Sequence, residues 1–154
     1  MADSSAERTY VMIKPDGVAR GLIGDVISRF ENKGLQLVAM KLVQVTPEHA
    51  EKHYEDLKSK PFFAGLVEFI TSGPVCAMVW KGPNAVRIGR LLVGATNPAE
   101  AAVGTVRGDL AADISRNIVH ASDAVESANH EIALWFKDEE ITSWDLPAAQ
   151  WICE

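Results

Sequence analysis

The sequence predicts an α/β plait: a four-stranded antiparallel sheet in βαββαβ order, helices on its faces, and a C-terminal extension. Two observations lead there. Four apolar runs of strand length alternate with segments of helical periodicity. Their order is strand–helix–strand, then helices, then strand–helix–strand–helix, which is the ferredoxin-like arrangement. A length of 154 residues, 47% of them hydrophobic, suits one domain over 1–154 with a core that needs no disulfide or metal staple.

Residues 1–7 read as a flexible N-terminal arm, without the basic and apolar regions of a signal peptide. The first strand covers 9–13. Lys14-Pro15-Asp16-Gly17 then reads as a turn, with φ fixed at the proline, an acceptor at the aspartate and freedom at positive φ on the glycine. Ile23, Val26, Ile27 and Phe30 recur at three and four, predicting a helix over 21–33 that Gly34 stops. A long second strand follows over 35–45. Thr46 as cap and Pro47 at the first helical position open a polar helical segment over 47–59, which Lys60-Pro61 breaks. A helix over 62–70 closes at Ser72-Gly73-Pro74, and 75–80 is a strong third strand. After Lys81-Gly82-Pro83, a helix over 84–93 is expected to turn Val86, Leu91 and Leu92 inward. Residues 94–112 hold Pro98 and three glycines. So long an irregular stretch in a compact domain marks function or an interface. The fourth strand, 117–120, ends on His120. Asp123, with Glu126 three residues on, predicts a capped helix with the apolar stripe Val125, Ala128, Ile132, Trp135 and Phe136. The tail over 137–154 carries Trp144 and Trp151 and is too apolar for a disordered segment.

The net charge of −6 argues against nucleic acid as the main partner, which calls for a basic stripe. It leaves room for a local basic pocket from Lys14, Arg87, Arg90, Arg107 and Arg116. Cys76 and Cys153 lie far apart, with no zinc-type spacing, so a reducing compartment is the simpler reading. No apolar run reaches the length of a membrane span, and a cytoplasmic protein is expected.

There is no GxxxxGK[ST] phosphate loop and no GxGxxG fingerprint. Phosphate handling would therefore fall to side chains and helix ends. His120 stands at a strand end, facing a loop, with Glu131 on the next helix able to reach back to it. That is the setting of a nucleophile or general base, although a lone histidine beside an apolar strand is more often structural. Lys14 ends the first strand, Arg90 precedes the irregular stretch, and Arg107 lies between Gly104 and Gly108. Taken singly, each cation reads as a solvated charge, Thr96 as a turn residue, and Tyr54 and Phe62 as ordinary packing.

Together these blocks resemble the nucleoside diphosphate kinase family. Asn117-Ile118-Val119-His120-Ala121-Ser122-Asp123-Ala124 is similar to its active-site signature. Lys14-Pro15-Asp16-Gly17, His53-Tyr54, Lys60-Pro61-Phe62-Phe63, Gly89-Arg90, Ala95-Thr96-Asn97-Pro98 and Thr105-Val106-Arg107-Gly108-Asp109 follow in the family's order, and the likeness runs from about Glu7 to Glu154. The resemblance implies reversible transfer of the terminal phosphoryl group from a nucleoside triphosphate to a nucleoside diphosphate, ping-pong through a phosphohistidine. It implies His120 as nucleophile through Nδ1, Glu131 holding the other ring nitrogen, and Ser122 beside that pair. Lys14 and Tyr54 would meet the transferred phosphoryl, and Arg90, Thr96 and Arg107 the diphosphate. Asn117 and Lys14 would reach the sugar, while Phe62 and Ile114 flank the base and accept any base by stacking. It also implies Mg2+ held mainly by the nucleotide phosphates, with no direct protein ligand and Asp123 reaching it through water, and a homohexamer built as a trimer of dimers.

The sequence departs from the family pattern at Ala121, where glycine is usual, at Ala95, often acidic, and at Val103, often proline. The last two bear on assembly more than on chemistry. The competing readings are a non-catalytic interaction protein on the same scaffold and a nucleic-acid-binding regulator.

Overall fold

The computed structural model describes residues 6–154. Residues 1–5, most of the predicted arm, lie outside the described residues. Four strands, β1 (Arg8–Ile13), β2 (Gln36–Val43), β3 (Val75–Lys81) and β4 (Val119–Ala121), form one sheet in the order β2-β3-β1-β4. All three pairings are antiparallel, so the plait expected from the sequence is the fold.

β1 and β3 are central, and their side chains are buried on both faces. That is why they read as continuous apolar runs rather than alternating ones. On one face Val11, Ile13, Met78 and Trp80 pack with Val26 and Phe30 of α2 (Ile23–Lys33) and with Val93 of α5 (Ala85–Val93). On the other, Tyr10, Met12, Ala77 and Val79 meet α3 (Pro47–His53), α4 (Phe63–Ile70) and α7 (Val125–Trp135) through Ala50, Ile70, Ile132 and Trp135. β2 is an edge strand, and its Met40 and Leu42 face outward, exposed. Glu7 is tied to the body of the fold: its carbonyl accepts from Gly82 N and its carboxylate from Val86 N.

Several helix ends follow the sequence directly. Gly34 closes α2 at φ 104, and Thr46 Oγ1 accepts from His49 N to cap α3. Other expectations need correction. Residues 15–19 are not a turn but a short helix, α1 (Pro15–Ala19), with Pro15 at its first position. Gly17 is not at positive φ. It is glycine because an added Cβ would sit 2.7 Å from Ile13 Cγ2 and 2.9 Å from Ile118 Cγ2. The helical segment expected over 47–59 ends at His53 and passes into a 3₁₀ turn at Glu55–Leu57. Leu91 and Val125 are not inward; both are exposed. The stretch 94–112 is more ordered than its glycines suggest. It contains a 3₁₀ turn at Pro98–Glu100 and a further helix, α6 (Val106–Leu110), capped by Thr105 Oγ1 on Gly108 N. Asp123 does not cap α7; the N-cap is Ala124 and makes no side-chain bond.

The fourth strand begins at Val119 rather than 117 because Ile118 has φ 73. Val119 N donates to Asn117 O at 2.8 Å across it, closing a γ-turn of the rare positive-φ kind. Left-handed backbone at a non-glycine residue costs about 1–2 kcal/mol, and β-branched residues tolerate it least.

Candidate active site

His120 is the middle residue of β4 and pairs with Met12 of β1. Its ring is about a third exposed (31%). Nε2 lies 2.5 Å from Glu131 Oε2, and Ser122 Oγ donates to Glu131 Oε1 at 2.7 Å. Burial pushes the Glu131 carboxyl upward, but the bonds from His120 and Ser122 outweigh it and hold the group below its ordinary value. An ionised carboxylate only accepts, so His120 Nε2 carries the proton in the neutral ring. The Nδ1 lone pair is then left on the other side of that ring.

An aromatic wall stands behind this pair. Tyr10 stacks on Trp135 with centroids 5.5 Å apart and tilts against His120 at 5.9 Å. His53 meets His120 edge-on at 5.1 Å. Trp135 Nε1 donates to His53 Nδ1 at 3.1 Å, which leaves the His53 proton on Nε2. Burial first, then the neighbouring His120, drop His53 to about 3, so it is a neutral residue. Burial, reinforced by Glu131, raises Tyr54 to about 12. Its phenol keeps its proton and can donate.

The cations converge through main-chain geometry. Arg107 is only 4% exposed. Its guanidinium donates to Asn117 O at 3.2 Å, Gly94 O at 2.9 Å and Val119 O at 2.6 Å. Among the described residues no carboxylate reaches it. Burial, then Arg90, lowers it to about 10. Arg90 donates to Ala121 O at 3.3 Å. Lys14 Nζ donates to Asn117 Oδ1, and Asn117 Nδ2 to Thr96 O at 3.0 Å. Burial lowers Lys14 to about 8; Asp16 opposes that shift, while Arg107 and Arg116 add to it. Unpaired buried positive charge of this kind is suited to an anion.

A cleft of about 690 Å³ opens over the histidine, and His120, Glu131, Arg90, Thr96 and Asp123 are among its lining. The structure therefore brings together His120, Glu131 and Ser122, and joins Lys14, Arg107 and Asn117 to them through the 117–121 segment. Phe62 and Ile114 are both exposed, and neither lines this cleft. Glu55, Asp56, Asp123 and Glu126 place carboxylates along it, hard oxygen donors of the type Mg2+ prefers. One ligand atom each from His53, His120 and Glu131 also lie within 4.8 Å of one another, but Trp135 Nε1 donates to His53 Nδ1 and His120 Nε2 bonds Glu131 Oε2.

Sequence reasoning missed His53, Trp135, Tyr10 and Asp16 as members of this assembly. His53 precedes Tyr54 and sits four residues after His49 on one helix, a usable signal. Trp135 reads as a core residue, yet a buried indole N–H needs an acceptor.

Comparison with known proteins bears on the family of the chain. The family model described as nucleoside diphosphate kinase matches residues 7–141. A nucleoside diphosphate kinase of Neurospora crassa is 59% identical over 151 residues, covering 98% of this chain and 99% of that protein. Nucleoside diphosphate kinase B of Flaveria bidentis is 60% identical over 148 residues, covering 96% and 99%. The solved structure of a halophilic nucleoside diphosphate kinase from Halobacterium salinarum, in complex with CDP, superposes with a TM-score of 0.94 at 51% identity, covering 97% of this chain and 99% of that one. A phosphotransferase acting on nucleotides, this chain belongs to the nucleoside diphosphate kinase family.

Proposed function

We propose that a single domain over 1–154 transfers the terminal phosphoryl group between nucleoside tri- and diphosphates through a phosphohistidine at His120. The observation that carries the reading is the His120–Glu131–Ser122 chain, which fixes the imidazole with its proton on Nε2 and its lone pair on Nδ1. In the first half-reaction the Nδ1 lone pair forms the N–P bond while the P–O bond to the diphosphate breaks, and the diphosphate leaves with the electron pair. In the second, a terminal oxygen of the acceptor diphosphate attacks phosphorus and the N–P bond breaks. Glu131 stabilises the positive ring of the phosphorylated state. A neutral imidazole needs little further activation, so the remaining task is placement of charge.

Lys14 and the Tyr54 phenol serve the transferred phosphoryl, and Arg90, Arg107 and Thr96 serve the diphosphate. Asn117, with Lys14, serves the sugar. Phe62 and Ile114 are exposed apolar faces on which any base can stack, so base specificity is broad. The Ala121 methyl, next to the nucleophile, is small enough for activity to persist. Mg2+, when bound to the nucleotide phosphates, neutralises charge on the transferring group; Asp123 would hold it through water.

The protein acts in the cytoplasm as a homohexamer, a trimer of dimers. Among the described residues no helix is long and apolar enough to cross a membrane. Val103 in the irregular stretch and Trp151 in the tail are 90% and 83% exposed in the single chain, the kind of surface a subunit contact covers. A dimer or tetramer by light scattering at micromolar concentration would reject the hexamer. For the chemistry, the wild-type protein and γ-labelled ATP are expected to give an acid-labile, alkali-stable label that any nucleoside diphosphate discharges. An undiminished label on His120→Ala would overturn the mechanism.

A further inference from the structure

The γ-turn at Ile118 is strained, buried and two residues from His120. Such a backbone persists only where its surroundings over-determine it. Here both polar atoms of Ile118 are taken by the segment that follows β1. Ile118 N donates to Asp16 Oδ2 at 2.9 Å, and Ile118 O accepts from Lys14 N at 2.8 Å. The absence of a Cβ at Gly17 lets α1 approach this closely. On the far side of the turn, the two carbonyls that flank Ile118 point the same way. Asn117 O and Val119 O both accept from the Arg107 guanidinium, at 3.2 and 2.6 Å. In extended backbone these two carbonyls would stand about 6.6 Å apart along the chain; the γ-turn closed by Val119 N on Asn117 O folds the chain between them, and one guanidinium reaches both. The same turn directs the Asn117 side chain to Lys14 Nζ and to Thr96 O.

We infer that Asp16 is a positioning residue for the phosphoryl-transfer site: its carboxylate clamps the Ile118 amide and so holds the strained turn that presents two main-chain carbonyls to Arg107 and sets Asn117 against Lys14. Asp16 does not line the cleft over His120. It acts through the turn, by the bond its carboxylate accepts from the Ile118 amide. The inference rests on the proposed reading that Arg107 and Lys14 meet the nucleotide phosphates.

The clamp needs an acceptor, not a charge. Asp16→Asn keeps a carbonyl oxygen for Ile118 N, whereas Asp16→Ala removes it. With Asp16→Ala, the KM for the acceptor diphosphate and the calorimetric Kd for ADP are expected to rise about tenfold or more, with kcat changed less. Asp16→Asn is expected to restore both to within about threefold of wild type. A glycine adopts positive φ without strain, so in an Ile118→Gly background the effect of Asp16→Ala should shrink to less than threefold.

An Asp16→Ala protein with wild-type KM and Kd overturns the clamp. So does an Asp16→Asn protein as impaired as Asp16→Ala, which would make the charge decisive. Loss of cooperative melting in Asp16→Ala also overturns it, because Asp16 would then carry the fold rather than the site. Should Ile118→Gly fail to fold, the comparison of the two Asp16 variants decides alone. The ADP affinity reads the clamp without turnover. A wild type that takes no acid-labile label therefore defeats the phosphohistidine reading separately from the clamp.

Discussion

Glu131→Gln isolates what the carboxylate does for His120. Glu131 accepts two charge-assisted bonds, from His120 Nε2 at 2.5 Å and from Ser122 Oγ at 2.7 Å. Glutamine offers one carbonyl oxygen and one amino group in their place. If the oxygen stays with Ser122, the amino group faces Nε2, and the neutral ring must move its proton to Nδ1, where the nucleophilic lone pair is needed. If the oxygen turns to His120, the tautomer survives but the acceptor is neutral and no longer supports positive charge on the phosphorylated ring. Hydrogen bonds to charged groups are worth about 1.5–3 kcal/mol. At about 1.4 kcal/mol per tenfold, loss of that stabilisation slows phosphorylation by about 10- to 150-fold. The assay is a rapid-quench single turnover with γ-labelled ATP, counting acid-labile label against time. A Glu131→Gln rate within threefold of wild type would refute the reasoning, because the bond would then be structural only.

Two further predictions concern pH. Lys14, lowered to about 8 chiefly by burial, is charged below that value and neutral above it, so kcat/KM for the nucleotide is expected to fall as pH rises through about 8; in Lys14→Arg the fall should disappear, and an unchanged limb would count against Lys14 as its source. His53, lowered from 6.5 to about 3 mainly by burial, stays neutral in the fold while the unfolded chain takes up a proton. Its contribution to stability is therefore fully present above about pH 6.5 and is lost as pH falls towards 3, with a slope approaching 1.4 kcal/mol per pH unit. Chemical denaturation from pH 7 to 4.5 should show this slope, and His53→Gln should flatten it.

Helices α2 and α3, strands β1 and β3, and the pairing of His120 with Glu131 were legible because local rules govern them. Glycine ends α2, threonine and proline open α3, and apolar runs make buried strands. The Pro15–Ala19 helix was hidden because Pro-Asp-Gly serves a turn and a first helical turn equally well. Asp123 looked like a cap by composition, yet the chain enters α7 one residue later, leaving the carboxylate at the cleft. Leu91 and Val125 were placed inward by periodicity, which cannot say where the apolar arc ends. The burial of Arg107 and the positive φ of Ile118 were not legible at all. Both depend on carbonyls and amides brought together from distant parts of the chain, and both run against the ordinary habits of arginine and isoleucine.

The guanidinium of Arg107, embraced by three carbonyl dipoles, has a consequence for how long the protein survives as well as for how it binds. Dipoles orient a charge without cancelling it, so the ligand-free molecule holds an unbalanced positive centre in its interior, and an anion there relieves it. Occupancy and durability are thereby linked: any nucleotide that binds only the folded chain adds about 2.7 kcal/mol at a hundredfold excess over its Kd. Nucleotide binding and resistance to unfolding therefore rise and fall together.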